Sequence, residues 1–345
     1  MSMIGLNLSD SSVEVVELTT GWFGQARITA QKRLDLAEGL VDNGLIHHPV
    51  ELAKTIQHLV PAGEITLSIP EAQVYSRWLR FPANTKEHEI KQTIQSQCSQ
   101  YVPFEASEVA LDFIFSGQQG DQQDVLLLAI PVTVLKGYQE LATALHCRLK
   151  RLELESLSSA RAALGALPTT GAMLLLDVGA RTTIASWFTK SGLRFSFNIP
   201  LAGRYFTEQV QKALKTTPLE AERLKQRFGF ETKTNVALEE AWQPIIKAVN
   251  EAISYLQLEA QLPTTAVTVI GGSALLPGLV DWLHDQWKLP VALPNKLPWQ
   301  QKYGMVAKSN QEEGTLMLNA VGLVLGELKP YRDWPTVNFI NSIVL

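Results

Sequence analysis

Leu174-Leu175-Leu176-Asp177-Val178-Gly179-Ala180-Arg181-Thr182-Thr183-Ile184 decides how this chain is read. A short apolar run ends in an acid, a glycine and two hydroxyl residues, and an alternating run from Ile184 to Phe188 follows. The pattern predicts a strand, a tight turn and a second strand. Gly179 lets the backbone bend and approach a ligand closely. Amides and the hydroxyls of Thr182 and Thr183 then converge on one spot, which suits a phosphate. Asp177, on the strand before the turn, is placed to hold the water shell of a Mg²⁺. Taken alone, the stretch also fits a plain β-hairpin with a polar tip.

The N-terminus repeats the plan. In Ile4-Gly5-Leu6-Asn7-Leu8-Ser9-Asp10-Ser11-Ser12-Val13, Asn7 falls where Asp177 does, Ser9 where Gly179 does, and Ser12 where Thr182 does. Two like hairpins half a chain apart predict a duplicated domain whose tips face across a cleft. A third segment, Val267-Thr268-Val269-Ile270-Gly271-Gly272-Ser273-Ala274-Leu275-Leu276-Pro277-Gly278, reads as a buried strand, a glycine pair and a helix start. The glycine pair leaves bare backbone on which a planar ring can lie. In this order the three segments resemble the phosphate 1, phosphate 2 and adenosine motifs of actin-like ATPases. The resemblance implies an α/β fold of duplicated ribonuclease-H-like domains, with ATP and Mg²⁺ as cofactors. Its nucleotide-site candidates are Asn7, Ser9, Ser11, Ser12, Asp177, Gly179, Thr182, Thr183, Gly271, Gly272, Ser273 and Leu276.

Further segments narrow the resemblance. Gln100-Tyr101-Val102-Pro103-Phe104, Leu111-Asp112-Phe113, Ala221-Glu222-Arg223-Leu224-Lys225 and Leu275-Leu276-Pro277-Gly278-Leu279 are similar to the type IV pilus assembly family PilM, relatives of the division protein FtsA. The similarity runs from about Ile4 to Leu328. It implies a first actin-like domain (1A) at 1–72, completed by 155–170 and 312–345. An inserted 1C subdomain is expected at 73–154 and a second domain (2A) at 171–311, with a helical part (2B) at about 203–262. Glu222 and Lys225 match the family's ribose-contacting helix. The partner implied is the cytoplasmic N-terminal peptide of a PilN-like membrane protein, bound between the first domain and the insert. Pilus motor ATPases are further partners of such a platform.

Four departures from the family pattern bear on hydrolysis. Asn7 stands where most relatives carry an acid, Ser9 replaces a glycine, Asp10 adds negative charge near a polyanion, and Gln97 stands where many relatives have a glutamate. Together they predict weak or slow turnover. Arg181, at the second tip, is a candidate for neutralising phosphate charge or an exposed turn residue.

Composition sets the frame. The chain has 345 residues, 46% hydrophobic and 19% charged, which suits two globular domains. Its 30 basic and 34 acidic residues, net −4, argue against nucleic-acid binding by phosphate neutralisation. No window approaches the roughly 20 apolar residues of a membrane span. The first residues lack the cationic and long apolar regions of a signal peptide. Cys98 and Cys147 are isolated, so no disulfide framework is expected. These features predict a cytoplasmic protein that reaches the inner membrane only through partners.

Along the insert, strands near 74–81, 108–115, 124–130 and 148–154 alternate with helices near 84–101 and 132–146, a ferredoxin-like order. Residues 229–237 and 294–311 read as polar loops, and Gly314 to Leu328 as a last helix. Beyond it, Thr336 to Leu345 has strand propensity. Val337-Asn338-Phe339-Ile340 resembles the start of the Ile-Asn-Leu-Leu-Pro motif carried by the family's partner peptide. The tail is therefore expected as a strand, lying in the partner groove or packed on the first domain.

Three functions fit: an ATP-binding adaptor of a pilus or secretion platform, a sugar-kinase-like phosphotransferase, and an FtsA-like filament former. An insert built for protein contacts, without a visible substrate domain, favours the adaptor.

Overall fold

In the computed structural model, residues 2–21, 25–294, 298–304, 311–331 and 334–341 are described. The chain opens on three antiparallel strands, β1 (Ser2–Leu8), β2 (Ser12–Thr20) and β3 (Ala26–Asp35). A small hairpin of β4 (Val41–Asp42) and β5 (Leu45–Ile46) leads to α1 (Pro49–Ile56) and β6 (Glu64–Ile69). Pro49 occupies the first turn of α1, where its missing N–H leaves nothing unpaired.

The chain then leaves this sheet. β7 (Tyr75–Pro82), α2 (Glu87–Ser96), α3 (Cys98–Tyr101), β8 (Val109–Gln119) and β9 (Gln122–Pro131) build an antiparallel sheet ordered β7-β9-β8. Ile90, Ile94 and Cys98 form the apolar helix face, buried against Leu111, Phe113, Val125 and Leu127. The chain returns through α4 (Val132–Ala144), β10 (Arg148–Leu154) and α5 (Glu155–Ala163).

The ferredoxin-like order is corrected here. β10 does not complete the insert; it pairs parallel with β6 in the first sheet, ordered β10-β6-β1-β2-β3. The physical reason lies in β6, where Ile65, Thr66, Leu67, Ser68 and Ile69 are all buried. Such a strand needs a neighbour on each edge and cover on each face. α4 likewise belongs to the main core, through Val134, Leu135, Tyr138 and Leu141.

The second sheet is formed by β11 (Ala172–Val178), β12 (Thr183–Thr189) and β13 (Gly192–Ile199), then, after the helices α6 (Gly203–Leu214), α7 (Pro218–Phe228) and α8 (Asn235–Glu259), by β14 (Thr264–Ile270). α9 (Leu279–Trp287) precedes its last strand, β15 (Val291–Ala292). The order is β13-β12-β11-β14-β15, which matches β3-β2-β1-β6-β10 strand for strand. The duplication read from two hairpins thus extends to whole sheets. α8 begins at Asn235, inside the stretch whose polar composition reads as a loop.

The chain ends back on the first domain, by α10 (Pro298–Tyr303), α11 (Gln311–Leu316) and α12 (Leu318–Leu325). α10 lies within the expected 294–311 loop because Trp299 is fully buried and donates its indole N–H to the Ala162 carbonyl at 3.0 Å. The remainder of that loop, 305–310, is outside the described residues. α12 is buried on every side and packs on α5 and β1. Gly322 permits this, since a Cβ there would overlap the Ser158 backbone. The expected last helix is interrupted at Met317, between α11 and α12.

The tail forms no strand among the described residues. Trp334, Val337 and Phe339 are buried in the main core, and Phe339–Asn341 is a 3₁₀ turn. Residues 342–345 of the expected strand lie outside the described residues.

Candidate functional site

Both hairpins turn the same way. Ser9 N–H donates to Ser12 O at 2.9 Å, and Gly179 N–H donates to Thr182 O at 3.0 Å. Asn7 sits opposite Glu14 and Asp177 opposite Ile184, one position from each turn. The two tips face one cavity of about 670 Å³ between the domains. Asn7, Ser9, Ser11, Ser12, Asp177, Gly179, Thr182, Glu222, Lys225, Gly271, Gly272, Ser273 and Leu276 all line it. Thr183 does not. It is fully buried and its hydroxyl donates to Leu201 O at 2.7 Å, because its side chain points to the opposite face of β12.

The second tip is wired to the helices beside it. Gly203 N–H donates to Gly179 O at 3.1 Å, and Arg204 N–H to Ala180 O at 2.8 Å. Lys225 is buried, and its three hydrogens go to Gly203 O (2.9 Å), Thr207 Oγ1 (2.8 Å) and Glu222 Oε2 (2.8 Å). Lys225 therefore braces the tip and aims Glu222. Burial raises the Glu222 carboxyl, but the bonds from Lys225 and Thr207 outweigh it and hold it below the usual range.

The glycine pair divides its labour. Gly271 has φ +85°, and a Cβ there would stand 2.5 Å from Asp177 Oδ1 and 2.6 Å from Val178 O. Its bareness serves the turn and the approach to Asp177, not the ring's resting place. At Gly272 a Cβ would meet nothing nearer than Leu316 Cδ2 at 3.8 Å, so this residue presents the open backbone.

Acids that the motifs did not single out converge here. Glu14, on β2, is buried; it accepts from Asn7 Nδ2 (3.0 Å), Ser12 Oγ (2.6 Å) and Arg33 Nε (3.2 Å). Burial raises its pKa. Glu71 follows β6 and Glu155 follows β10, both at carboxyl ends of strands, where ligands of such sheets collect. Burial pushes Glu71 to about 7, and burial with the nearby Glu71 and Asp177 charges pushes Glu155 well up. Asp177 is raised to about 6 by burial and by Glu14. The available signals were a lone acid inside the apolar run Val13 to Val16, and an acid just past each buried strand.

The residues fit a nucleotide with its metal ion. Ser159 Oγ is buried at the cavity wall without a hydrogen-bond partner. Among the described residues no three His, Cys, Asp or Glu side chains converge as a direct metal set. Asp177 and Glu14 instead suit an ion that keeps its waters and is held mainly by phosphate oxygens, as Mg²⁺ is. A pocket this rich in carboxylates repels a bare polyphosphate and accepts one carrying a cation. Arg181 lines the cavity, but its guanidinium is already engaged by acids. It pairs with Asp10 Oδ2 at 3.3 Å and Asp42 Oδ1 at 2.9 Å, across the mouth of the cleft. No described helix is long and apolar enough to cross a membrane.

A sequence profile described as "Type IV pilus assembly protein PilM" matches residues 5–327. The solved "PilM-PilN type IV pilus biogenesis complex" superposes with a TM-score of 0.80 at 21% identity, covering 95% of this chain and 99% of that one. MreB5 of Spiroplasma citri bound to AMPPNP superposes at 0.57 and 13% identity, covering 94% and 96%. These likenesses establish an actin-like ATPase fold. Cell division protein FtsA of Bacillus subtilis is 25% identical over 168 residues, 41% of this chain and 38% of that protein. The match therefore spans well under half of the FtsA length.

Proposed function

The chain belongs to the type IV pilus assembly protein PilM family, and from that premise we propose that it is an ATP-binding adaptor of a pilus inner-membrane platform. The observation that carries the nucleotide reading is the pair of like turns, at Ser9 and Gly179, facing one cavity floored by Gly272. Asn7, Ser12 and Thr182 would line the phosphates, Glu222 the ribose, and Gly272 with Leu276 the base. Asp177 and Glu14 would hold Mg²⁺ through water, and the ion would offset phosphate charge. Glu155, whose carboxyl burial pushes well up, can orient a water or pass a proton, so slow turnover is compatible with the site. By family, the partner is the N-terminal cytoplasmic peptide of a PilN-like protein, which would bring the chain to the membrane. Motor ATPases are further partners on the same ground.

Calorimetry with Mg-ATP tests the nucleotide reading. Wild type is expected to bind, Asp177→Ala to bind Mg-ATP more weakly with adenosine affinity little changed, and Gly272→Val to lose both. No heat from wild type at millimolar Mg-ATP overturns it. Co-purification with a tagged PilN-like N-terminal peptide tests the partner.

A further inference from the structure

Two sheet edges face each other across the tail. β8 is the outer strand of the insert's sheet, and β10 is the outer strand of the first sheet. Edge strands leave a row of backbone groups without a ladder partner. Between them lies Asn338. Its backbone N–H donates to Asp112 Oδ2 of β8 at 2.7 Å. Its Nδ2 donates to Lys150 O at 3.3 Å, and its Oδ1 accepts from Leu152 N–H at 3.2 Å, both on β10. One side-chain amide thus supplies the donor and the acceptor that a whole added residue would give. The register of β10 against β6 slips between Leu149 and Arg151, so Lys150 is bulged out of that pairing. A bulge re-aims backbone groups, and here the freed carbonyl meets Asn338. Val337 and Phe339, on either side, are 1% and 0% exposed.

A loop that merely covered two edges would need no such reader. A bulged carbonyl, an N–H two residues on, and a half-buried carboxylate form a socket for asparagine with a free backbone N–H. Only asparagine has an amide at this reach. We propose that residues 334–341 are a tethered, competing occupant of the peptide slot between β8 and β10, held there through Asn338. The slot's outside ligand is a peptide with an apolar–Asn–apolar–apolar run that turns after the asparagine as the tail does, where Ile340 N–H donates to Asn338 Oδ1 at 3.2 Å, and it must displace the tail to bind. That the outside ligand is the platform partner rests on the adaptor reading above. A tether keeps its ligand at an effective concentration in the millimolar range, so the tail sets a threshold that a partner must exceed.

The test uses a labelled synthetic peptide of residues 335–342, followed by anisotropy. Three proteins are compared: the full chain, the chain ending at Pro330, and full-length Asn338→Ala. Tyr331 and Trp334 are buried, so the truncated chain is first checked by circular dichroism; Asn338→Ala keeps those contacts if truncation unfolds it. The peptide is expected to bind Asn338→Ala and a folded truncated chain at least about tenfold more tightly than the full chain. A peptide with alanine at position 338 should not bind, and Asp112→Ala should weaken binding to the truncated chain. Equal affinity for all three proteins overturns the proposal, as does failure to bind both altered chains. A PilN-like N-terminal peptide is run beside it. If the tail peptide binds and the PilN-like peptide does not, the slot stands and the partner reading falls. If the PilN-like peptide binds without displacing the tail peptide, the proposal falls and the partner reading stands.

Discussion

Asn7 Nδ2 donates to Glu14 Oε2 at 3.0 Å, so the first hairpin carries its acid on β2 rather than on β1. The amide at position 7 joins Ser12 Oγ and the Arg33 guanidinium in holding Glu14 where it is buried. Ser68 Oγ completes the arrangement by donating to Asn7 Oδ1 at 2.7 Å. Asn7→Asp alone would set two carboxylates against each other in a dry site. It is expected to lower stability by about 1–3 kcal/mol, by loss of a buried partner. Adding Glu14→Gln should recover most of that loss, measured as a double-mutant cycle in denaturant. A rise in phosphate release on restoring the acid at position 7 is to be sought in this double variant, with Ser9→Gly added.

The pH dependence of stability follows from the buried acids. Glu71 at about 7 and Asp177 at about 6 lie above their ordinary values of 4.5 and 3.8. The folded chain therefore holds these protons more tightly than the unfolded chain does. Stability from these groups is fully present below about pH 4 and is lost as pH rises through 6 and 7. The melting temperature should rise between pH 8 and pH 5.5, and Glu71→Gln and Asp177→Asn should each flatten that slope. Mg-ATP affinity should run the other way below pH 7, because an ionised Asp177 suits the cation.

Arg161 and Glu153 form a fully buried bidentate pair, at 2.8 and 3.1 Å, and Arg161 also donates to Gly322 O at 2.7 Å. Glu153 has a second cation, Arg151, at 3.6 Å. Removing either partner strands a buried charge at about 3–5 kcal/mol. Glu153→Leu should cost more than Arg161→Met, since only Glu153 leaves its partner without a carboxylate among the described residues. Urea unfolding of both variants and their combination checks the order.

The Arg181 pairs at the mouth of the cleft are partly exposed, so they are worth less than about 1 kcal/mol each. Arg181→Ala should shift the melting temperature little. It should speed amide exchange at both hairpin tips, and the effect should shrink in high salt.

What the sequence made legible was local and repeated. The turns at Ser9 and Gly179 announce themselves by polar residues between apolar runs, and the glycine pair does so after a buried strand. The allegiance of β10 was not legible, because Arg148 to Leu154 has the same look in either sheet; only the bare edge of β6 decides it. Trp299 was hidden in polar company, and its burial depends on a carbonyl 137 residues away at Ala162. Glu14 and Glu155 carry no motif and become a site only when four strand ends meet. Thr183 was misplaced for a simpler reason, since one step along a strand reverses the face.

The chain passes from the first domain to the second after α5 and comes back before α10, so the second domain is stitched into the first at two seams. A body held at two seams has lost its swivel. The β13 edge is tied to the insert as well, Ser116 Oγ donating to Leu193 O at 2.6 Å and Arg194 pairing with Asp124 at 2.7 Å, so the motion expected is bending about one line, like a book about its spine. The cleft then has essentially one coordinate, and the distance between Asp10 and Arg181 at its outer margin measures it. Any ligand that draws the covers together must move the whole second sheet, and a single pair of spectroscopic labels suffices to follow it.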